Sequence, residues 1–211
     1  YELAASFMAK PFLDRAGNGF HVHFSLLDRD GRNVFDNGGP EGSEVMRHAI
    51  GGLLAMMRAS SLVFAPHLNS YRRLQPNAHS PSEVCWGYET RSAAVRVPGG
   101  SNAARRIEHR VAGADANPYL VLAAVLGAAL EGIERRIEPP EPLATTDDVT
   151  AGATLPIDWK LAIEAFERSE SMSRIFARIL RESFVGMKKQ EVQVFSRQIS
   201  AFEHETYLET V

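Results

Sequence analysis

A single cysteine, Cys85, stands in 211 residues. One thiol cannot build an internal disulfide framework, and this usage fits a cytoplasmic protein. Lysine is almost as scarce, with 4 residues against 19 arginines, and the net charge is −3. A nonspecific nucleic-acid binder is excluded on that balance, because scattered lysine on a basic chain serves a phosphate stripe best. No apolar run approaches the length of a membrane span and no signal peptide is visible, so no membrane partner is expected. There is no Walker loop, no internal repeat and no low-complexity tract. Cys85 also lacks the His-and-acid context of an activated nucleophile. What remains is an ordinary globular composition, 45% hydrophobic and 23% charged, long enough for a substantial core. The chain opens at Tyr1, already in strand-like sequence, and reads as a piece of something longer.

The first 36 residues read as strands and turns. Ala5–Lys10 is strand-like, Asp14–Gly19 is a Gly-rich turn, Phe20–Leu27 alternates apolar and polar, and Asp28–Asn33 has hairpin-turn chemistry. Ser43 is placed to cap a helix over 44–59. Residues 66–90, with Pro66, Pro76 and Pro81, read as long irregular loops, which are uncommon unless they carry function. Ser92–Val97 and Arg105–Val111 read as two strands joined by the Pro98–Asn102 turn. Asn117-Pro118 opens the strongest helix, 118–136, so rich in Ala and Leu all round that burial is expected. Residues 137–156 read as a loop, and C-terminal helices follow within 157–211, at 158–168, 170–181 and 183–203. The fold class is α+β, an antiparallel sheet with helices packed to one side.

Three stretches carry candidate chemistry. In Arg105-Arg106-Ile107-Glu108-His109-Arg110, strand alternation places Arg106, Glu108 and Arg110 on one face and Arg105, Ile107 and His109 on the other. A carboxylate between two guanidiniums points to anion handling, with or without a metal; from the hexapeptide alone an exposed, salt-bridged edge strand is the favoured reading. His21, His23 and Ser25 share one face of the strand that follows the Gly17-Asn18-Gly19 turn, a plausible metal or phosphate contact or simply a wet face. Seven arginines but only three acids fall between residues 72 and 110. That local excess favours a polyanionic ligand, against the alternative of arginines facing solvent or a neighbouring subunit. The small residues between Arg91 and Arg96 favour inward-facing roles for both.

Taken together, these segments resemble the C-terminal part of the glutamine synthetase superfamily. The matching pieces run in the family's order: Phe-Met-Ala-Lys-Pro (7–11), Gly-Asn-Gly-Phe-His-Val-His-Phe-Ser (17–25), Asn-Ser-Tyr-Arg-Arg-Leu (69–74), Thr-Arg-Ser-Ala-Ala-Val-Arg-Val-Pro (90–98), Ala-Arg-Arg-Ile-Glu-His-Arg (104–110) and Ala-Asn-Pro-Tyr-Leu (116–120). The resemblance implies that residues 1–211 form a C-terminal fragment of the catalytic domain, contributing part of its antiparallel barrel, truncated at the N-terminus. It implies an ATP-dependent ligase that forms an amide on the γ-carboxylate of glutamate through γ-glutamyl phosphate. By resemblance, His21 and Glu108 match metal ligands for Mg2+ or Mn2+. His23, Phe24 and Ser25 match a nucleotide-contact segment, and Arg91, Arg96 and Arg106 match residues that grip the phosphates of ATP, with Arg91 catalytic. Gly17, Arg73 and Arg110 match the glutamate site. A hard, oxygen-preferring cation and a row of guanidiniums suit phosphoryl transfer, which is mostly positioning and charge neutralisation.

Departures from the pattern bear on the acceptor. His79 stands in the loop position where ammonia-using members carry a Glu that takes the ammonium proton, and is the candidate base here. Ala16 replaces an Asn beside the glutamate, and the Gly99–Ala103 turn is one residue short and lacks a nucleotide-contacting Lys. The wording Cys-Trp-Gly-Tyr and His-Arg-Val-Ala-Gly-Ala-Asp is closest to the γ-glutamylpolyamine synthetase branch, favouring an organic amine over ammonia. Members are about twice this length. The β-grasp domain and first half of the catalytic domain, with the Glu-x-Glu and two further metal-binding glutamates, are expected to be absent here. The fragment alone is therefore expected to be inactive, and its parent to be a homo-oligomer of stacked hexameric rings. The alternative reading is a non-catalytic relative with a structural or nitrogen-regulatory role.

Overall fold

The computed structural model describes residues 2–75, 80–144 and 153–210. Helix α1 (Glu44–Phe64) begins where Ser43 accepts a hydrogen bond from the Met46 amide. It runs five residues past the expected end, stopping at Ala65, just before Pro66, which disfavours helical backbone in the residue ahead of it. Helix α3 (Pro118–Arg135) starts on Asn117, whose side chain accepts from the Tyr119 and Leu120 amides. These two helices cross at contact distance because glycines meet there. A Cβ built on Gly52 would stand 2.1 Å from the Ala128 carbonyl oxygen, and one on Gly132 would stand 2.2 Å from that of His48. The all-round burial expected of α3 is not found. Val121, Ala124, Val125, Ala128 and Ala129 are buried, but Leu122, Leu126 and Leu130 face outward, because α1 and the segment 170–175 cover only one side of the helix.

On the other side of α1 lies a four-stranded sheet in the order β1 (Val22–Phe24), β5 (Ile107–His109), β4 (Val95–Val97), β3 (Trp86–Tyr88). The pairs β1–β5 and β5–β4 are antiparallel, whereas β3 joins β4 in parallel, so the sheet is mixed. Among the described residues it does not close into a barrel. A short pair, β2 (Glu83–Val84) with β6 (Ala153–Thr154), lies apart. The segment expected to be irregular, 66–90, thus contributes the single-turn helix α2 (Ser70–Arg73) and two strands.

Residues 5–10 form no strand; the Met8 and Ala9 carbonyls instead accept from Asn18. The Asp28–Asn33 turn forms as expected, with Asp28 accepting from the Asp30 and Arg32 amides. The C-terminal region holds α4 (Trp159–Arg168), α5 (Glu170–Ile175), α6 (Arg178–Ser196) and α7 (Ala201–Tyr207). The break near 181 expected from sequence falls instead at Phe176, in extended backbone, where the ring packs 5.9 Å from Phe166. A second break precedes Ser200, which closes a capping box with Glu203.

Candidate active site

The sheet register builds the site. Val22 pairs with His109 and His109 with Val95, a row on the face turned to α1. One residue along, His23 pairs with Glu108 and Glu108 with Arg96, a row on the opposite face. Alternation therefore sends Ile107 and His109, fully buried, into the core, and Glu108 away from it. His109 lies with its ring centroid 4.4 Å from that of Phe64, and burial pushes its imidazole down to about 3, so it is neutral.

Glu108 is the centre of the open face. Its Oε1 accepts from Arg110 Nη1 at 2.7 Å and lies 3.1 Å from His21 Nδ1 and 3.5 Å from His23 Nε2. Its Oε2 accepts from Arg96 Nη1 at 2.8 Å. Burial alone would raise this carboxyl. The Arg96 hydrogen bond and the charges of Arg110, His23 and Arg96 outweigh burial and hold it below the ordinary carboxylate range. His21 moves down instead, through burial and the Arg110 charge, with Glu108 opposing. Arg106 extends along the same face, its Nε 3.4 Å from His23 Nδ1.

Arg73 enters from α2, beneath the Gly17–Gly19 turn. Its Nη1 donates to the Val111 carbonyl at 2.7 Å and its Nη2 to that of Arg110 at 3.4 Å. A Cβ on Gly17 would meet the Ala9 carbonyl oxygen at 2.6 Å and the Arg73 chain at 3.1 Å, so glycine is what lets the turn close over the guanidinium. Burial pulls Arg73 down to about 10, with Asp115 opposing and Arg110 adding to the shift. It stays protonated at neutral pH.

His21, His23, Arg73, Arg96, Arg106, Glu108 and Arg110 are thus brought together. Others of the expected set are not. The Phe24 ring packs edge-on against Phe35 at 5.8 Å, on the core side, so its side chain cannot share the face of His23 and Ser25. Ser25 is exposed. Arg91 was expected to face inward with Arg96 but is exposed in a turn ahead of β4, because the strand begins only at Val95. His79 lies outside the described residues.

Three residues escaped the sequence reading. Arg105, on the core side of the hexapeptide, donates to the Pro40 and Gly39 carbonyls and to Asn102, tying the loop before α1 to the turn before β5. Asp115 accepts from Ser70 at 2.6 Å and lies 3.1 Å from His67 Nδ1, bracing α2 against the start of α3. Glu89 reaches Arg96 Nη2 at 3.4 Å. The one signal for Glu89 was its rarity, as one of three acids in the arginine-rich span.

A metal fits this face only in part. His21 and Glu108 offer an imidazole and a carboxylate, a donor pair suited to Mg2+ or Mn2+. Among the described residues no three His, Cys, Asp or Glu side chains form a metal-holding group. A hard cation takes about six ligands, so water, substrate oxygens or further carboxylates must complete the shell.

Comparison with known proteins bears on the family. Residues 1–207 match the family model described as glutamine synthetase, catalytic domain. The chain is 38% identical over 201 residues to a γ-glutamylethanolamide synthetase of Streptomyces coelicolor, covering 95% of this chain and 43% of the relative. It is 34% identical over 208 residues to a γ-glutamylputrescine synthetase of Escherichia coli, covering 99% and 44%. A glutamine synthetase of Pyrococcus furiosus is 47% identical over 138 residues, 65% of this chain and 31% of the relative. A solved structure, apo GmaS without ligand, superposes with a TM-score of 0.86 at 31% identity, covering 97% of this chain and 48% of the other. The chain spans about half the length of the curated relatives it matches.

Proposed function

The chain belongs to the glutamine synthetase family, and from that premise we propose that it supplies the phosphate-gripping half of an ATP-dependent ligase that forms an amide on the γ-carboxylate of glutamate. The observation that carries this reading is the row His23–Glu108–Arg96, flanked by Arg106 and Arg110: one buried carboxylate among three guanidiniums on a single open face, with Arg73 buried beside it under the Gly17 turn. Such a face suits a reaction in which negative charge moves from ATP to a γ-glutamyl phosphate and must be neutralised throughout.

Arg96 on β4 and Arg106, just ahead of β5, would face the nucleotide phosphates, and Arg91 in its exposed turn is free to close over the transferred group. Arg110 and Arg73, beside Gly17, would hold the carboxylates of glutamate by paired N–H donors. Glu108 and His21 would hold Mg2+ or Mn2+, which when bound neutralises phosphate charge. Glu108 orients Arg96 and Arg110 in the same stroke, because its two oxygens are shared between them. His79, in the loop where ammonia-using relatives carry a Glu, would accept the proton from the attacking amine.

The acceptor in this proposal is an organic amine of the ethanolamine or putrescine class. Two kinds of support favour it: the substitution of His79 for an ammonium-binding carboxylate, and the 38% and 34% identity to relatives named for those two amines. Phosphate release by the full-length parent protein, driven by ATP and glutamate and measured with ethanolamine, putrescine and ammonium in turn, tests it. Turnover with an organic amine is the expected result, and robust turnover with ammonium alone defeats the acceptor assignment. The lone carboxylate–imidazole pair on the metal face also supports a narrower proposal. The 211 residues by themselves have no ligase activity and need the remaining donors from elsewhere in a cytoplasmic, ring-forming oligomer. Amine-dependent phosphate release by the isolated chain would overturn that part.

A further inference from the structure

Glu89 stands with φ at +58°, in the left-handed region that residues bearing a Cβ enter at a cost. Among the described residues the other non-glycine at positive φ is Arg136, at +51°, and it merely ends α3 in the way many helices end. Glu89 has a different setting. It follows β3 directly, and residues 89–94 are all that link β3 to the parallel strand β4, where parallel neighbours usually need a crossover of a dozen or more residues. The left-handed residue opens this tight return. Glycine or asparagine would satisfy that turn without strain. A glutamate there needs a reason in its side chain.

The side chain supplies one. Its carboxylate lies over Gly99, where a Cβ would stand 2.6 Å from Glu89 Oε1, so the glycine leaves room for it. It also meets Arg96 Nη2 at 3.4 Å, while Arg96 Nη1 is held by Glu108 at 2.8 Å. Arg96 Nε is buried and has no partner among the described residues. The guanidinium is therefore fixed at its two Nη atoms, by a buried carboxylate on one side and by Glu89, 62% exposed, on the other.

We propose that Glu89 is a positioning residue for the phosphate-gripping Arg96: the strained turn aims its carboxylate so that the guanidinium stays in one plane before ATP arrives. The assignment rests on the ligase reading given above for what Arg96 grips, but not for the positioning itself. A long side chain that must be immobilised at each binding event loses affinity, by about three- to tenfold per side chain.

Two variants of the whole protein test this. Glu89→Gly removes the anchor and the backbone strain together, and Glu89→Gln keeps an acceptor without the charge. With no nucleotide present, phenylglyoxal should modify Arg96 several-fold faster in Glu89→Gly than in the wild type, with Glu89→Gln between. The melting temperature of Glu89→Gly should not fall, since strain is relieved. KM for ATP should rise about three- to tenfold with kcat changed less than twofold. A residue serving only the turn would show no change in Arg96 labelling or in KM. Unchanged labelling, a lower KM for ATP, or a loss of stability that parallels the loss of affinity overturns the proposal. If the wild type shows no ATP-dependent turnover, the ligase reading falls, while the labelling still decides whether Glu89 positions Arg96.

Discussion

The two faces of β5 are built from adjacent residues on opposite terms. Ile107 and His109 point into the helices, fully buried, and His109 is held neutral there. Glu108 is almost as buried, at 3% exposure, yet it stays charged, because Arg96 and Arg110 each donate to it within 2.8 Å. The core face gains from apolar area removed from water, which needs no partner geometry. The open face desolvates charges and stands only because they are paired. A strand three residues long can therefore serve as scaffold on one side and as chemistry on the other, and the two should fail differently.

The largest effect on stability belongs to the core face. Ile107→Ala leaves a cavity beneath the sheet and should cost about 3 kcal/mol in a urea melt. A loss under 1 kcal/mol would mean that the sheet is not anchored through this residue. Glu108→Gln comes next. It keeps the shape but removes the charge between two guanidiniums, and should cost about 1–3 kcal/mol. Unlike Ile107→Ala, it should also abolish any rise in melting temperature produced by Mn2+, and a retained Mn2+ response would break the contrast between the faces. Arg106→Ala should do least to the fold. Its side chain is only partly buried on the open face, so stability should stay within about 0.5 kcal/mol. ATP affinity should nevertheless fall about tenfold by calorimetry, the loss of one or two charged hydrogen bonds. An equal loss of stability would show that the open face, too, is scaffold.

Where local chemistry was strong, the sequence was legible. Ser43, Asn117-Pro118 and Asp28 each fix the backbone within a few residues by capping or turn hydrogen bonds, and each did so at the expected place. Alternation through 105–110 likewise sorted the hexapeptide into two faces. Errors arose where partners are distant. Residues 5–10 have strand-like sequence but no strand beside them, and Phe176 breaks a helical pattern because its ring is taken up by Phe166. The outward leucines of α3 look like core in sequence and are not, since nothing among the described residues covers that side. Arg91 and Arg96 looked alike in a six-residue strand, but β4 begins at Val95 and only Arg96 is on it.

By itself the chain determined its caps, its turns, its alternating strands and the order of motifs that ties it to one family, because those depend on residues a few positions apart. Only the tertiary structure decided that His23, Glu108 and Arg96 form one row, that Arg73 lies beneath the Gly17 turn, and that Glu89 reaches Arg96. Those contacts depend on the register between strands distant in sequence. Register is set by how the buried faces pack, which no local pattern contains.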